Sequence, residues 1–371
     1  MKKILLIANH PKYVFNLRKE LVEALLKKDY TVGICCPYGK EIDYFTELGC
    51  QFFDSNLNRH GKSLPEELKL KSEYGKVMDE FQPDVNLLYT IKPNIYAGLE
   101  ASKRGIPSIA NITGLGSPFQ NNNLLKKVLI LMYRRTFKKI DTVVFQNEEN
   151  QHFFVKNKIK TNHEILLPGS GVNLKTFSYL DYPNNDKIKF IFISRIMKEK
   201  GIDEYLFSAE EIMREVDNVE FHIAGFIDGD YEEIIRLKES ENILQYHGMV
   251  DNVQLLLQEM DCLVLPSYHE GMSNVLLEAG ASGRGVIATN IAGCREIIEH
   301  NVTGLLCRPR DKESLKNAIL HYLKLGYNER QTMGKEARKK ISQDFDRQIV
   351  VKKYIERIEE LCYERTIPTN C

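Results

Sequence analysis

The sequence predicts an α/β protein built as two Rossmann-like domains, with helices at its C-terminal end. Three observations carry that prediction. Short apolar, β-rich runs alternate with longer helical stretches through the first half, the alternation restarts after the polar stretch Asp181-Tyr182-Pro183-Asn184-Asn185-Asp186, and three helical segments follow. A chain of 371 residues suffices for two domains of roughly 150 to 200 residues each.

In chain order, strands are expected at Lys3–Ala8, Thr31–Cys36, Val85–Tyr89, Ser108–Ile112, Thr142–Gln146 and Glu164–Leu167. Helices fill the gaps near 14–28, 64–81, 94–104, 122–139 and 148–157. After the polar stretch, strands are expected near Lys189–Ser194, Val219–Ala224, Ile243–Tyr246, Cys262–Leu265 and Gly285–Ala288. Helices near 312–325, 328–343 and 346–361 follow. The expected division is 1–183, 184–345 and a terminal helical segment, 346–371, returning to the first domain.

Composition excludes several classes. The chain holds 51 Lys+Arg against 51 Asp+Glu and is 43% apolar, as in ordinary soluble proteins. No apolar run approaches the ~20 residues that span a bilayer, and the opening run stops at Asn9-His10-Pro11, too short for a secretory signal. A cytoplasmic location is therefore expected. Eight cysteines show no metal-ligand spacing and read as buried thiols, with Cys35 and Cys36 pointing to opposite faces of one strand. The zero net charge conceals polarity: residues 1–183 carry +7 and residues 184–371 carry −7.

Open parallel sheets bind ligands beyond the carboxyl ends of their strands, so the residues after each strand bear the chemistry. After Cys262–Leu265 comes Pro266-Ser267-Tyr268-His269-Glu270-Gly271-Met272-Ser273-Asn274, running into a helix that holds Val275 and Glu278. Ser273 or Asn274 can cap that helix, whose free N–H groups suit an anion. Glu270 and Glu278 flank the helix entrance and suit sugar or ribose hydroxyls; equally, they read as a loop acid and a surface helix residue. After Lys189–Ser194, Arg195 and Lys200 could neutralise a diphosphate, or belong to a solvated turn.

Arg195-x4-Lys200-Gly201, the E-x7-E pair Glu270 and Glu278, Gly169-Ser170-Gly171-Val172-Asn173 and Asn301-Val302-Thr303-Gly304-Leu305-Leu306 together resemble glycosyltransferase family 4 over nearly the whole chain. The resemblance implies the GT-B fold, two Rossmann-like domains facing each other across a cleft. It also implies a retaining transferase that uses a nucleotide sugar and no catalytic metal or other cofactor. On this sequence, Arg195 and Lys200 would hold the donor diphosphate, Glu278 the ribose and Glu270 the hexose. Backbone N–H groups of Gly271, Met272, Ser273 and Asn274, with Val275 beside them, would complete the cradle, and Met249 in His247-Gly248-Met249-Val250 would border the nucleobase.

Tyr89-Thr90-Ile91-Lys92-Pro93-Asn94 and Asn111-Ile112-Thr113-Gly114-Leu115-Gly116 resemble a bacterial subgroup of N-acetylgalactosaminyl- and related N-acetylhexosaminyltransferases. That subgroup extends saccharides on undecaprenyl diphosphate for capsule, O-antigen or protein glycosylation. It implies a UDP-N-acetylhexosamine donor, a lipid-diphosphate acceptor and an acceptor-binding first domain. The acceptor-binding candidates are His10, Arg18, Lys92, Asn94, Gly114, Leu115 and Gly116. Lys92 reads equally as a solvated turn residue and Asn94 as a helix cap. Family members often carry paired glycines in the first loop, where this chain has Asn9-His10-Pro11-Lys12-Tyr13. Where they often carry a His after the strand ending at Asn111-Ile112, Thr113 takes the candidate catalytic place.

Asp228-Gly229-Asp230 is read as serving the first turn of the next helix and not as a metal site. Residues 124–139 carry six cations and no acid. With an apolar stripe of Leu125, Leu129, Met132, Tyr133 and Phe137 turned to the sheet, they suit peripheral contact with the anionic inner face of a plasma membrane. A basic solvated helix is the bland alternative, and no module for nucleic acid accompanies it. Two other functional classes compete with glycosyl transfer: a UDP-N-acetylhexosamine 2-epimerase and a non-catalytic sugar-nucleotide-binding subunit.

Overall fold

A computed structural model describes residues 1–55, 64–114, 119 and 124–364. It divides into two compact units, Met1–Ser170 with Gln348–Cys371, and Gly171–Arg347.

The first unit runs β1 (Lys3–Ile7), α1 (Pro11–Lys27), β2 (Thr31–Cys36), α2 (Asp43–Glu47), β3 (Gln51–Asp54), α3 (Leu64–Phe81), β4 (Val85–Tyr89), α4 (Gly98–Lys103), β5 (Ser108–Ile112), α5 (Leu124–Phe137), β6 (Thr142–Phe145), α6 (Glu148–Lys156) and β7 (Glu164–Leu166). Its strands form one parallel sheet in the order β3-β2-β1-β4-β5-β6-β7. Strands β1, β4, β5 and β6 are buried nearly throughout because helices cover both faces. Cys35 and Cys36 fall into the cores on opposite sides of the sheet, as period-2 geometry requires. On one side, Tyr133, Phe137, Phe145 and Phe154 form a ring cluster with centroids 4.7 to 5.8 Å apart. Each such pair adds about 1 kcal/mol beyond its buried area.

The second unit runs β8 (Ile188–Ile193), α7 (Ile202–Met213), β9 (Val219–Ala224), α8 (Glu232–Ser240), β10 (Gln245–Tyr246), α9 (Val253–Gln258), β11 (Cys262–Leu265), α10 (Asn274–Ala281), β12 (Gly285–Thr289), β13 (Leu305–Cys307), α11 (Lys312–Lys324) and α12 (Tyr327–Asp344). The parallel order is β10-β9-β8-β11-β12-β13. Chain direction across the sheet therefore reverses between β8 and β11, and their C-terminal loops flank the switch point where such sheets take ligands. The last helix, α13 (Arg347–Glu364), places Val350, Val351, Tyr354, Ile358 and Leu361 in the core of the first unit beside β1 and β4.

The change of unit falls at Ser170 and Gly171, upstream of the expected boundary at 183. The reason is hydrogen bonding: Val172 N–H donates to Phe345 O at 2.9 Å and Leu180 N–H to Ser282 O at 3.2 Å. Arg284, fully buried, also donates to the carbonyls of Leu180 and Asp181 and to those of Leu257, Gln258 and Ser282. Five carbonyl acceptors replace the water that this guanidinium loses. They bind residues 180–181 to the end of α9.

Candidate functional site

The second unit gathers its charged candidates on the loops after β8 and β11. Glycines bring these loops into close contact. Gly201 has φ 78°, and a Cβ there would lie 2.1 Å from Pro266 O, so only glycine lets the Lys200 turn sit on the exit of β11. Tyr268 N–H donates to Glu199 O at 2.9 Å and joins the loops directly. Lys200 Nζ then reaches Glu270 Oε1 at 2.6 Å, both side chains being largely buried.

Glu270 is oriented from several sides. Ser267 Oγ donates to the same Oε1 at 2.8 Å, leaving Oε2 without a protein partner among the described residues. Beneath it, Thr289 Oγ1 donates to Ser267 O. Gly293, φ 83°, backs the loop so closely that a Cβ would come within 2.7 Å of Gly271 O, and its own carbonyl accepts Ser273 N–H at 3.0 Å. Ser267, Thr289 and Gly293 were missed by the sequence reading; the one visible signal was Gly293 shortly after a strand.

Helix α10 begins at Ser273, the expected cap position, but the Ser273 side chain makes no cap hydrogen bond. The first-turn N–H groups, with Asn274 and Val275 partly exposed beside them, present an uncapped helix end. Met272 is buried in the core under this loop, so only its backbone can serve a ligand. Glu278, one turn on, makes no side-chain hydrogen bond among the described residues. Burial pushes its carboxyl up to about 7, with the Arg347 charge pulling the other way. His269 beside Glu270 is pushed down, by burial and then by the Lys200 charge.

Arg195 leaves the end of β8 and pairs with Asp228 at 3.2 Å, both half-exposed. That pairing corrects the expectation that Asp228 serves the next helix: α8 starts later and takes Glu232 and Glu233 in its first turn. Among the described residues, no cluster of three His, Cys, Asp or Glu could hold a metal ion. Met249 stands exposed on the loop after β10.

The first-unit candidates are placed differently. His10 caps α1, its Nδ1 accepting Lys12 N–H at 3.1 Å. Arg18 is a correction: it is 1% exposed, because three tyrosines enclose its guanidinium. The ring centroids of Tyr89, Tyr13 and Tyr354 lie 4.6, 5.5 and 5.6 Å away, and Nη2 donates to Tyr13 Oη at 3.0 Å. Asn94 is likewise interior; it lies in a π-helical turn over 93–97 and donates to Asn111 O at 2.9 Å. Lys92 pairs with Glu67 of α3 at 2.7 Å. Thr113 and Gly114 are half-exposed after β5, whereas Leu115 and Gly116 lie outside the described residues. On α5, Tyr133 and Phe137 are buried as expected; Leu125, expected on the sheet-facing stripe, is exposed together with Leu124, Val128 and Leu131.

Comparison with known proteins decides the family. A family model described as glycosyl transferases group 1 matches residues 182–340, and one described as glycosyl transferase 4-like matches residues 3–147. The chain belongs to these family-4-like glycosyltransferases. This glycosyltransferase is 25% identical, over 95% of its own length and 96% of the relative's, to the Campylobacter jejuni N,N'-diacetylbacillosaminyl-diphospho-undecaprenol alpha-1,3-N-acetylgalactosaminyltransferase. A Staphylococcus aureus capsular polysaccharide biosynthesis glycosyltransferase, CapM, is 24% identical over 60% of this chain and 62% of that relative. In fold, the glycosyltransferase is similar to sucrose-phosphate synthase from Thermosynechococcus elongatus, with a TM-score of 0.79 and 17% identity over 97% of this chain and 99% of that one. Anabaena HepE in complex with UDP-glucose gives the same TM-score and identity over 97% and 100% of the two chains. Its two parallel-sheet domains and C-terminal helices are thus those of the GT-B fold.

Proposed function

We propose that this glycosyltransferase moves an N-acetylhexosamine, N-acetylgalactosamine or an isomer, from a UDP-sugar to a saccharide on undecaprenyl diphosphate. The observation that carries the donor half is the Lys200–Glu270 pair at 2.6 Å beside the uncapped start of α10, at the switch point of the second sheet. The lipid-linked acceptor is supported by the full-length similarity to the Campylobacter jejuni transferase.

In this reading, Lys200 spends one N–H on Glu270 and keeps two for the diphosphate, which Arg195 and the first-turn N–H groups of α10, from Asn274 on, also meet. Glu270 Oε2 accepts a donor-sugar hydroxyl. Glu278, once ionised, accepts the two ribose hydroxyls. Attack comes from the face that the diphosphate leaves: the acceptor C–O bond forms as the donor C–O bond breaks, and the acceptor proton passes to the departing diphosphate oxygen. Configuration is retained, and no metal or other cofactor takes part. Protein catalysis then consists of orientation and stabilisation of the leaving charge. Thr113 and Gly114 lie on the acceptor side.

We place the enzyme in the cytoplasm, at the inner face of the plasma membrane. Two features support this. No described helix is long and apolar enough to cross a membrane. Helix α5 exposes Leu124, Leu125, Val128 and Leu131 within a segment of six cations. Labelled UDP-N-acetylgalactosamine, incubated with the chain and undecaprenyl-diphosphate saccharides held in anionic vesicles, tests the reading. The expected outcome is label in the lipid fraction with an α linkage. Free epimerised UDP-sugar would establish the 2-epimerase instead, and donor binding without turnover would establish the non-catalytic subunit.

A further inference from the structure

The first turn of α7 carries two carboxylates, Asp203 and Glu204, and no side chain caps the helix before them. Acids there ordinarily serve the helix dipole. Here each carboxylate also takes a tyrosine hydroxyl from a loop that reaches back to the helix. Tyr268 Oη donates to Glu204 Oε1 at 2.8 Å, and Tyr231 Oη donates to Asp203 Oδ1 at 3.0 Å. Burial, and then the carboxylate each one faces, push both phenols above their ordinary range, so each hydroxyl keeps its proton near neutral pH. The two arms differ in depth. Glu204 is 8% exposed and its Oε2 has no partner among the described residues, whereas Asp203 is exposed. The Arg310 guanidinium lies over the Tyr268 ring, 4.9 Å from its centroid, and covers the deeper arm.

Each tyrosine belongs to a loop that aligns one cation of the candidate diphosphate site. Just after Tyr268 in the chain, Glu270 holds Lys200 Nζ at 2.6 Å; just before Tyr231, Asp228 holds Arg195 at 3.2 Å. Backbone bonds keep both arms short. Tyr268 N–H donates to the carbonyl of Glu199, which immediately precedes Lys200, and Asp228 N–H donates to that of Ile196, which immediately follows Arg195. The chains Glu204-Tyr268-Glu270-Lys200 and Asp203-Tyr231-Asp228-Arg195 therefore start from adjacent residues of one helix. We propose that the first turn of α7 is the common anchor that sets the spacing of the two diphosphate cations, with Tyr268 and Tyr231 as positioning residues that act through Lys200 and Arg195. The proposal rests on the nucleotide-sugar reading above and adds to it what holds the two cations in register. Cations on separate loops would otherwise shift independently, and a leaving diphosphate is stabilised best where both are already in place.

Single-turnover transfer by the full chain, read as double-mutant cycles, tests this. Tyr268→Phe should slow transfer about tenfold in the wild-type background and not at all in Lys200→Ala, because its effect passes through that lysine. Tyr231→Phe, on the exposed arm, should slow transfer about threefold with thermal unfolding unchanged, and not at all in Arg195→Ala. Equal losses with and without the cation would mark tyrosines that merely support the fold and overturn the proposal, as would wild-type rates in both phenylalanine variants. A wild-type chain that transfers no sugar overturns the transferase reading itself and this inference with it.

Discussion

The two units use the same sheet architecture to opposite ends. In the second, polar side chains singled out from sequence stand at the switch point with capacity to spare: Glu270 keeps an oxygen, Glu278 keeps its carboxylate and α10 keeps its N–H groups. In the first, the corresponding residues are consumed internally. Arg18 fills a tyrosine cage, Asn94 bonds a strand end and His10 caps a helix. The difference teaches that glycine-enforced close approach between loops leaves side chains facing outward, whereas polar residues under the strand ends serve the scaffold.

The comparison breaks most visibly at Lys200. Lys200→Ala removes the cation aligned by Glu270 and should lower the transfer rate by roughly 10²- to 10³-fold with folding intact, read by single-turnover transfer and thermal unfolding. Retention of the wild-type rate would place the second unit's chemistry elsewhere. In the first unit, Arg18→Ala should instead cost about 3 kcal/mol in urea unfolding, since a cavity opens among three rings, while UDP affinity stays unchanged. Selective loss of acceptor binding at full stability would reverse its assignment to the scaffold.

A smaller effect sharpens the contrast. The folded Glu278 carboxyl titrates at about 7, above its ordinary range, so the protonated form is the one that folding favours. The stability it contributes is full below the unfolded value near 4.3 and is lost as pH rises through about 7. Glu278→Gln should therefore stabilise the chain by roughly 2 kcal/mol near pH 8 and have no such effect near pH 4, while weakening UDP-sugar binding. Equal stability of variant and wild type at both pH values would show that the site carries no such strain.

Most of the architecture was legible because buried parallel strands are apolar runs bounded by helices; β2, β4, β5, β9 and β11 fall on the expected residues. The strands missed were short edge pieces. Gln51–Asp54 offers only Phe52 and Phe53 between two exposed polar ends, and Leu305–Cys307 has three residues. The loops around Glu270 were legible as a motif, but their support from Ser267, Thr289 and Gly293 depends on distances between strands. Arg18 misled for a related reason. An arginine on a polar helix reads as exposed, and its cage is completed by Tyr89 and Tyr354, from β4 and α13.

That last contact bears on how the molecule is made. Tyr354 and the apolar face of α13 complete the core that β1 begins, so the unit first to leave the ribosome is finished only after residues 348–364 have emerged. The Gly171–Arg347 unit is entirely synthesised before then. Vectorial synthesis ordinarily lets N-terminal domains mature first. Here the order is inverted: the nascent chain carries a complete second unit and an unfinished first one, whose apolar groove waits for the final helix.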